Sequence, residues 1–443
     1  MTLYWCELAW LGEPRAEAGV LVDVQYGRIA AVTSGIPAPL SGARRLEGIT
    51  LPGLANAHSH AFQRALRGRT QHGSGSFWTW REQMYRAADR LDPDSYLALA
   101  RATYAEMALA GVTTVGEFHY VHHGPGGVPY DDPNEMGRAL IAAAAEAGVR
   151  LTLLDCCYLH GGIGEPPGDS QRRFSDGSAE AWAERVDALE EGESVRVGAA
   201  IHSMRAVDPE SAAGVARWAR EHERPLHAHV SEQPAENDAC LEAHGHTPTG
   251  LLSEAGALAA SFTAVHATHL ADGDVDLLGG AGACCCVCPT TERDLADGIG
   301  AMRRLADAGA SLSLGSDSHA VIDLFEEARA VELDERLAGG ERGRHDAAAL
   351  LRAASEGGHA CLGWPDAGRI EPGARADLVT VGLDSVRLAG TEAESVLGSV
   401  VFAATAADVR HVLVDGNPVV EDGRHVAVDV PRELDEAIRA VMA

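Results

Sequence analysis

The feature that most constrains the fold is a set of eight short apolar runs separated by helix-forming stretches. One run ends at His58-Ser59-His60, and the other seven span residues 112–118, 150–156, 195–201, 225–230, 262–268, 282–288 and 311–316. Ala-rich segments such as DPNEMGRALIAAAAEAG lie between them. Apolar strands that alternate with helices are typical of parallel sheets, whose two faces are both covered. Eight such units predict an α/β protein with a TIM-like (β/α)8 barrel.

The two ends of the chain have a different pattern. They contain short β-branched runs and turn pairs such as Asp415-Gly416 and Asp422-Gly423, which are typical of hairpins. We expect the two ends to pair into one small β-sandwich. The predicted domains are a first sandwich part at residues 1–50, the (β/α)8 barrel at 51–365, and a second sandwich part with a C-terminal helix at 366–443.

Charge and composition argue against several classes of function. The chain has 65 acidic and 36 basic residues and a net charge of −29, which repels phosphate backbones, so we expect no nucleic-acid partner. No apolar run reaches the roughly 20 residues that cross a bilayer, and the N-terminus lacks a basic leader. We therefore expect a cytoplasmic protein without a membrane partner. Every basic residue is arginine, which excludes Schiff-base chemistry and a metal centre bridged by a modified lysine.

The nine cysteines do not have the spacing of a disulfide framework. Three of them, Cys284-Cys285-Cys286, are adjacent within a predicted strand. Because neighbouring residues of a strand point to opposite faces, this run is poorly suited to a metal site. We interpret these cysteines as small buried apolar residues.

Polar residues follow the predicted strands at the end of a barrel where catalysis occurs. His58 and His60 are two residues apart, so both side chains share one face about 6.5–7 Å apart and can reach one ion. His229 after the fifth strand adds a third nitrogen, and Asp317 after the eighth adds an oxygen. Three neutral nitrogens and a carboxylate suit one Zn²⁺ per chain, with Fe²⁺ or Mn²⁺ also compatible. His227 lies one layer deeper and is interpreted as a supporting residue.

This ligand pattern resembles the amidohydrolase superfamily, and the resemblance extends over nearly the whole chain. Many members hold two metals that a carboxylated lysine bridges, but this chain has no lysine, so the resemblance implies a single metal. A glutamate three residues after the fifth-strand histidine marks the deaminase branch. Here the segment HVSE supplies His229 and Glu232.

Longer motifs resemble the formimidoylglutamate deiminase family within that branch. The matching segments are NAHSHAFQRALRG, SFWTWREQMYR, EFHYVHH, IHSMRAV, VHATHL, CPTTERDLADG and GSDSH. The resemblance implies hydrolysis of N-formimidoyl-L-glutamate to N-formyl-L-glutamate and ammonia in bacterial histidine breakdown. The implied partner is a small dicarboxylate substrate, and the implied assembly is a homodimer.

The resemblance also implies roles for individual residues. Glu232 would transfer protons to nitrogen, Asp317 would accept the proton of water, and His266 would orient the nucleophile, with His269 as the alternative. Arginine forks suit the two carboxylates of the substrate. The implied substrate-binding residues are Gln63, Arg81, Tyr120, His202 and Arg205. The segment 160–174 is a candidate lid.

Two other functions remain open at this stage. A mononuclear deaminase of guanine, of a thioadenosine-type nucleoside or of a triazine would use the same metal ligands. Its pocket would need aromatic or apolar walls for a flat ring, whereas aromatic residues make up only 5% of this chain. A non-catalytic metal-binding scaffold would be expected to lack a ligand or the proton-transferring residue. All of these are present, namely His58, His60, His229, Glu232, His266 and Asp317.

Overall fold

The structure is a computed structural model that describes residues 2–71 and 77–443. Within those residues, sixteen strands form two eight-stranded sheets. The strands are β1 (Thr2–Ala9), β2 (Glu17–Gln25), β3 (Arg28–Thr33), β4 (Arg44–Pro52), β5 (Leu54–Ser59), β6 (Val112–His119), β7 (Arg150–Cys157), β8 (Val195–Ile201), β9 (Leu226–Val230), β10 (Phe262–His266), β11 (Cys284–Val287), β12 (Ser311–Leu314), β13 (Leu378–Val381), β14 (Val409–Val414), β15 (Asn417–Glu421) and β16 (Arg424–His425).

Fifteen α-helices lie in the same described residues. They are α1 (Phe77–Ala88), α2 (Pro93–Leu109), α3 (Glu135–Ala147), α4 (Ala179–Val186), α5 (Pro209–Glu221), α6 (Pro234–His244), α7 (Pro248–Glu254), α8 (Asp272–Gly280), α9 (Pro289–Leu295), α10 (Met302–Ala308), α11 (Leu324–Gly339), α12 (Ala347–Arg352), α13 (Gly358–Cys361), α14 (Val396–Ala403) and α15 (Val430–Met442). None of them is both long and apolar enough to cross a membrane.

The barrel contains β5 to β12, which are parallel and neighbour one another in chain order. The barrel closes where the segment after β12 meets the end of β5, because Ser59 and Asp317 form a parallel bridge. Every residue of β5, β6 and β7 is buried, as expected for strands that helices cover from outside. The predicted (β/α)8 barrel is confirmed.

The starts of several barrel helices are fixed by aspartate caps. Asp92 accepts a hydrogen bond from the backbone N–H of Ser95, and Pro93 occupies the first turn of α2. Asp208 caps α5 in the same way through the N–H of Ser211. These side chains satisfy N–H groups that a helix leaves without an internal partner. The helices therefore begin at defined residues.

The two ends of the chain form the second sheet, in the order β16-β15-β14-β13-β4-β1-β2-β3. The N-terminal and C-terminal parts meet where β4 pairs antiparallel with β13, with Leu51 opposite Val379. The predicted pairing of the two ends into one small β unit is thus confirmed. Its own apolar cluster includes Tyr4, Val22 and Leu413.

The nine cysteines all lie in the described part of the chain, and all are free and buried. Cys284, Cys285 and Cys286 belong to β11, where they pack among the other barrel strands. This agrees with their interpretation as small apolar residues.

A buried arginine joins the two units of the fold. Arg150 on β7 is fully buried and forms ion pairs with Asp377 and Asp415, at 3.0 Å from Nη1 to Asp415 Oδ2. Its guanidinium carbon lies 5.5 Å from the ring centre of Trp364. Burial lowers the pKa of Arg150 to about 10, although Asp415 opposes this shift. The arginine remains charged at neutral pH and holds two carboxylates of the terminal sheet against the barrel.

We expect Arg150→Met to destabilise the protein by about 3–5 kcal/mol, because it leaves Asp377 buried without its counter-charge. Arg196→Met is the matched control, since Arg196 lies over the same Trp364 ring but forms no ion pair with Asp377. Urea unfolding of both variants measures the difference. Equal stability of the two variants would contradict the proposed role of Arg150.

Candidate active site

Four side chains converge at the mouth of the barrel. His58 and His60 extend from the end of β5, His229 from β9, and Asp317 from the segment after β12. Asp317 Oδ1 lies 3.2 Å from His58 Nε2 and 3.3 Å from His60 Nε2. His229 Nε2 lies 3.2 Å from His58 Nε2. The four residues predicted as metal ligands from the sequence thus meet around His58, which has the spacing of a metal site both with His60 and Asp317 and with His229 and His266.

Hydrogen bonds fix the orientation of two of these imidazoles. His60 Nδ1 lies 2.9 Å from the carbonyl oxygen of Phe118, and His229 Nδ1 lies 2.9 Å from that of His202. A carbonyl only accepts, so each Nδ1 carries the proton and each Nε2 presents a lone pair. Burial lowers the pKa of His58 to about 3 and that of His60 and His229 below the ordinary value. The histidines are therefore neutral, as metal ligands must be.

The donor set fits one divalent metal ion. Two ligands of a tetrahedral ion with bonds of 2.0–2.1 Å lie roughly 3.3–3.4 Å apart, close to the separations of 3.2 and 3.3 Å between these atoms. The histidine nitrogens lie close to one another and to the Asp317 carboxylate. A bound cation would offset the repulsion between these electron-rich atoms. Burial alone raises the pKa of Asp317, but His58, His60 and His266 hold it below its ordinary value. The carboxylate is therefore ionised.

The backbone at this mouth is strained. Asp317, His266 and Ser231 have φ angles of 41°, 67° and 50°, which side-chain-bearing residues rarely adopt and which cost about 1–3 kcal/mol each. Such strain persists only where surrounding structure holds it, and it concentrates at functional sites. Ser231 follows β9, His266 is the last residue of β10 and Asp317 follows β12, and the ends of these three strands meet here.

Glu232 and His266 lie beside the metal ligands. His266 Nε2 is 3.9 Å from Glu232 Oε1, and His266 Nδ1 is 3.4 Å from Glu292 Oε1. Burial alone lowers the pKa of His266, but Glu232, Glu292 and Asp317 raise it well above its ordinary value. Burial raises the pKa of Glu232, although His266 and Arg205 oppose the shift. A carboxyl group with a raised pKa is suited to donate and accept protons near neutral pH. Glu292 was not predicted from the sequence.

The predicted substrate-binding residues line the same pocket as the metal ligands and Glu232. They are Gln63, Arg81, Tyr120, His202 and Arg205. Gln63 donates a hydrogen bond of 3.1 Å to the hydroxyl of Tyr120, so these two neutral groups form one wall. His58 is fully buried, and its Nε2 lies 3.2 Å from Oδ1 of Asp317, which lines the pocket.

The pocket walls also contain aromatic side chains that the sequence analysis did not anticipate. They are Trp80, Tyr85, Tyr158 and Phe174, with Met84 and Leu295 beside them. Gln171 donates to the hydroxyls of Tyr85 and Tyr158, at 3.0 and 2.7 Å, and thereby holds two of them in place. The overall scarcity of aromatic residues was therefore a wrong argument about the pocket, because aromatic side chains form part of its wall all the same.

The segment 160–174, predicted as a candidate lid, contributes Phe174 to the pocket. Its Arg173 is buried and donates to the carbonyl oxygens of His123, Ala88 and Leu91. This arginine therefore fixes the segment to the end of α1 rather than binding substrate. Whether residues 160–174 close over a ligand stays a prediction.

The alternative histidines are engaged elsewhere. His227 Nε2 lies 3.0 Å from the carbonyl oxygen of Cys361, and His269 Nε2 lies 2.7 Å from that of Asp297. A second buried group, His119, His122 and Asp155, also has the spacing of a metal site. There, however, Arg185 donates to both oxygens of Asp155 at 2.7 and 2.8 Å. That guanidinium already compensates the carboxylate and leaves no need for a metal ion.

Comparison with known proteins places the chain in a family. It belongs to the amidohydrolase family, whose sequence model matches residues 49–419, and it is accordingly a metal-dependent hydrolase of the deaminase type. It is 40% identical over 398 residues to a formimidoylglutamate deiminase of Pseudomonas aeruginosa, with 87% of each chain covered. It is 30% identical over 430 residues to a 5-methylthioadenosine/S-adenosylhomocysteine deaminase of Natronomonas pharaonis, with 95% of this chain and 93% of the relative covered. The crystal structure of an amidohydrolase from Brucella melitensis superposes over both full chains with a TM-score of 0.93 and 33% identity.

We expect His229→Ala to lose most of its metal, because it removes one of three converging nitrogens. His227→Ala is the matched control. It removes a histidine from the same strand, but one whose Nε2 is hydrogen-bonded to the carbonyl oxygen of Cys361. Metal content per chain after dialysis against a weak chelator measures the difference. Full occupancy in His229→Ala, or loss only in His227→Ala, would move the ligand assignment to His227.

Proposed function

We propose that this protein hydrolyses N-formimidoyl-L-glutamate to N-formyl-L-glutamate and ammonia in histidine degradation. The observation that carries the proposal is the presence of two guanidinium groups, Arg81 and Arg205, in the pocket that also contains Glu232 and the metal ligands. The substrate has two carboxylates and an amidine-like carbon, so it needs both features. The 40% identity to a formimidoylglutamate deiminase supports the same substrate.

In this proposal, binding relies on charge and shape together. Each arginine meets one carboxylate through its planar fork, which is better matched to a carboxylate than a lysine would be. Gln63 and Tyr120 supply neutral hydrogen-bonding groups on one wall. Trp80 and Phe174 exclude water from the pocket, which strengthens the ionic contacts.

The proposed metal is one divalent ion per chain held by His58, His60, His229 and Asp317, with zinc preferred and Fe²⁺ or Mn²⁺ also compatible. When bound, it supplies the Lewis acidity that makes water a nucleophile near neutral pH. Asp317 accepts the proton of the attacking water. Water oxygen bonds to the formimino carbon, and the bond from that carbon to its terminal nitrogen breaks.

Two neighbouring residues manage the protons of this step. Glu232 protonates the formimino nitrogen, takes up the remaining hydroxyl proton of the adduct and passes it to the departing amine, which leaves as ammonia. The proton held by Asp317 then returns to Glu232 and restores the starting state. His266, held between Glu232 and Glu292, donates a hydrogen bond that orients the attacking oxygen. The raised pKa of both groups keeps a transferable proton in this part of the pocket near neutral pH.

A deaminase of a purine nucleoside is the second candidate function. The aromatic wall formed by Trp80, Tyr85, Tyr158 and Phe174 favours it, because such side chains stack on flat rings. The relative from Natronomonas pharaonis is named as a deaminase of 5-methylthioadenosine and S-adenosylhomocysteine. Against it stand the two arginines, since a neutral base offers no negative charge to the two guanidinium groups that line the pocket.

We expect Glu232→Gln to lower kcat at least ~10²-fold with metal retained, because the amide keeps the shape but cannot exchange protons. Steady-state kinetics and metal analysis of the same preparation provide the measurement. Turnover close to that of the unmutated enzyme would show that Glu232 only shapes the loop.

We expect Arg81→Met and Arg205→Met each to lower kcat/KM for N-formimidoyl-L-glutamate on the order of 10²–10³-fold with metal retained, because each leaves a substrate carboxylate unpaired. Arg172→Met is the matched control, since that side chain is 60% exposed in the segment next to the pocket. The N-formimidoyl derivative of glutamine lacks one carboxylate and should be a poorer substrate than N-formimidoyl-L-glutamate for the unmutated enzyme. The difference in kcat/KM between the two substrates should shrink in only one of the two variants, the one that lacks the arginine for the missing carboxylate. Unchanged kcat/KM in both pocket variants would contradict the substrate assignment.

A further inference from the structure

A second cavity of about 320 Å³ adjoins the active-site pocket. The two share Arg81, Arg205 and Glu232 as lining residues. The remaining walls of the second cavity come from the loop at residues 161–165 and from the first turns of α6. We refer to it as the α6 cavity. It lies on the side of the pocket where the substrate carboxylates are proposed to bind.

Glu236, in the first turn of α6, is one of the residues that line this cavity. Only 3% of the residue is exposed, and neither carboxylate oxygen makes a hydrogen bond of normal geometry. A buried carboxylate without donors is costly unless a nearby positive charge compensates it. The strongest such charge acting on Glu236 is that of Arg205.

The other groups that act on Glu236 come from several elements. The Glu232 carboxylate after β9 repels it, whereas the backbone N–H of Glu232 lowers the pKa of Glu236 and His266 at the end of β10 attracts it. Cys240 lies one turn further along α6 and interacts with both Glu236 and Arg205. Glu165 and Arg81 line the same cavity from the 161–165 loop and from α1. The free enzyme therefore balances an acidic pair, Glu232 and Glu236, against positive charge centred on Arg205.

We propose that Glu236 is the counter-ion of Arg205 in the substrate-free enzyme and takes up one proton from solvent when a dicarboxylate binds to Arg205. This inference rests on the proposed function, because it requires a carboxylate ligand at Arg205. The proton adds to a Glu236 carboxylate oxygen and leaves the group neutral. No other bond is made or broken.

The physical reason is competition for one guanidinium. A ligand carboxylate that pairs with Arg205 removes the compensation of Glu236 and adds a second negative charge nearby. Burial already raises the pKa of Glu236 to about 7 in the free enzyme, although Arg205 lowers it. Ligand binding must therefore raise this pKa further, into the range where the group is protonated at neutral pH.

The sign of the pH dependence follows. Below pH 7, Glu236 is already protonated and binding requires no proton. Above pH 7, each bound ligand must bring one proton from solvent, so the dissociation constant rises by up to about tenfold per pH unit. The rise ends where the pKa of the bound complex is reached.

The test is titration calorimetry of the metal-loaded enzyme with N-formyl-L-glutamate at pH 8, in two buffers that differ in ionisation enthalpy. The dependence of the apparent enthalpy on buffer gives the protons taken up per ligand. The unmutated enzyme should take up as much as ~0.9 proton more than Glu236→Gln, as expected for a group whose pKa rises from near 7 to well above 8 on binding. Glu165→Gln is the matched control, because it changes an exposed carboxylate of the same cavity. Any protons that are taken up or released at the metal centre on binding are the same in all three proteins, so they cancel in the comparison.

Equal proton uptake in Glu236→Gln and the unmutated enzyme would overturn the inference while leaving the proposed function intact. A dissociation constant of the unmutated enzyme that is constant from pH 6 to pH 9 would overturn it without any variant. Failure of the unmutated enzyme to bind N-formyl-L-glutamate would contradict the inference and the proposed function together.

Discussion

Closure of the barrel between β5 and Asp317 is the constraint on which the rest of the site depends. The backbone N–H of Asp317 donates to the carbonyl oxygen of His58 at 3.0 Å, and that of His60 donates to the carbonyl of Asp317 at 3.2 Å. The same three residues supply three of the four converging ligand atoms. A parallel barrel can close only if its first and last strands meet. The clustering of His58, His60 and Asp317 is therefore a consequence of the barrel topology and needs no separate packing interaction.

The electrostatics of the site follow from that closure, because it buries every group involved. Burial keeps the histidines neutral, while Asp317 stays charged because histidines surround it. Next to them, Glu232 and His266 are pushed toward the protonated form. The neutral histidine nitrogens are suited to bind a cation, and a protonated Glu232 is suited to donate a proton to a departing amine. One buried mouth thus contains ligand chemistry and proton-transfer chemistry side by side.

The sequence predicted the parts of the site that lie at strand ends. Apolar runs located β5 to β12 to within a few residues, and the His-x-His pair at the end of β5 follows from the period of two along a strand. The aromatic wall was missed because Tyr85, Tyr158 and Phe174 come from a helix, a loop and a 3-10 turn that are distant in sequence. Their convergence depends on Gln171, which no local pattern indicates. Glu236 was missed for a similar reason, since an acidic residue in a first helical turn is common.

The most direct test of the account is ammonia release by the metal-loaded enzyme from N-formimidoyl-L-glutamate, measured beside 5-methylthioadenosine and guanine. The paired arginines predict that the acidic substrate has the highest kcat/KM, by several orders of magnitude, with turnover that fails when the metal is removed. Preference for either ring compound would contradict the substrate assignment and show that the aromatic wall, rather than Arg81 and Arg205, determines specificity.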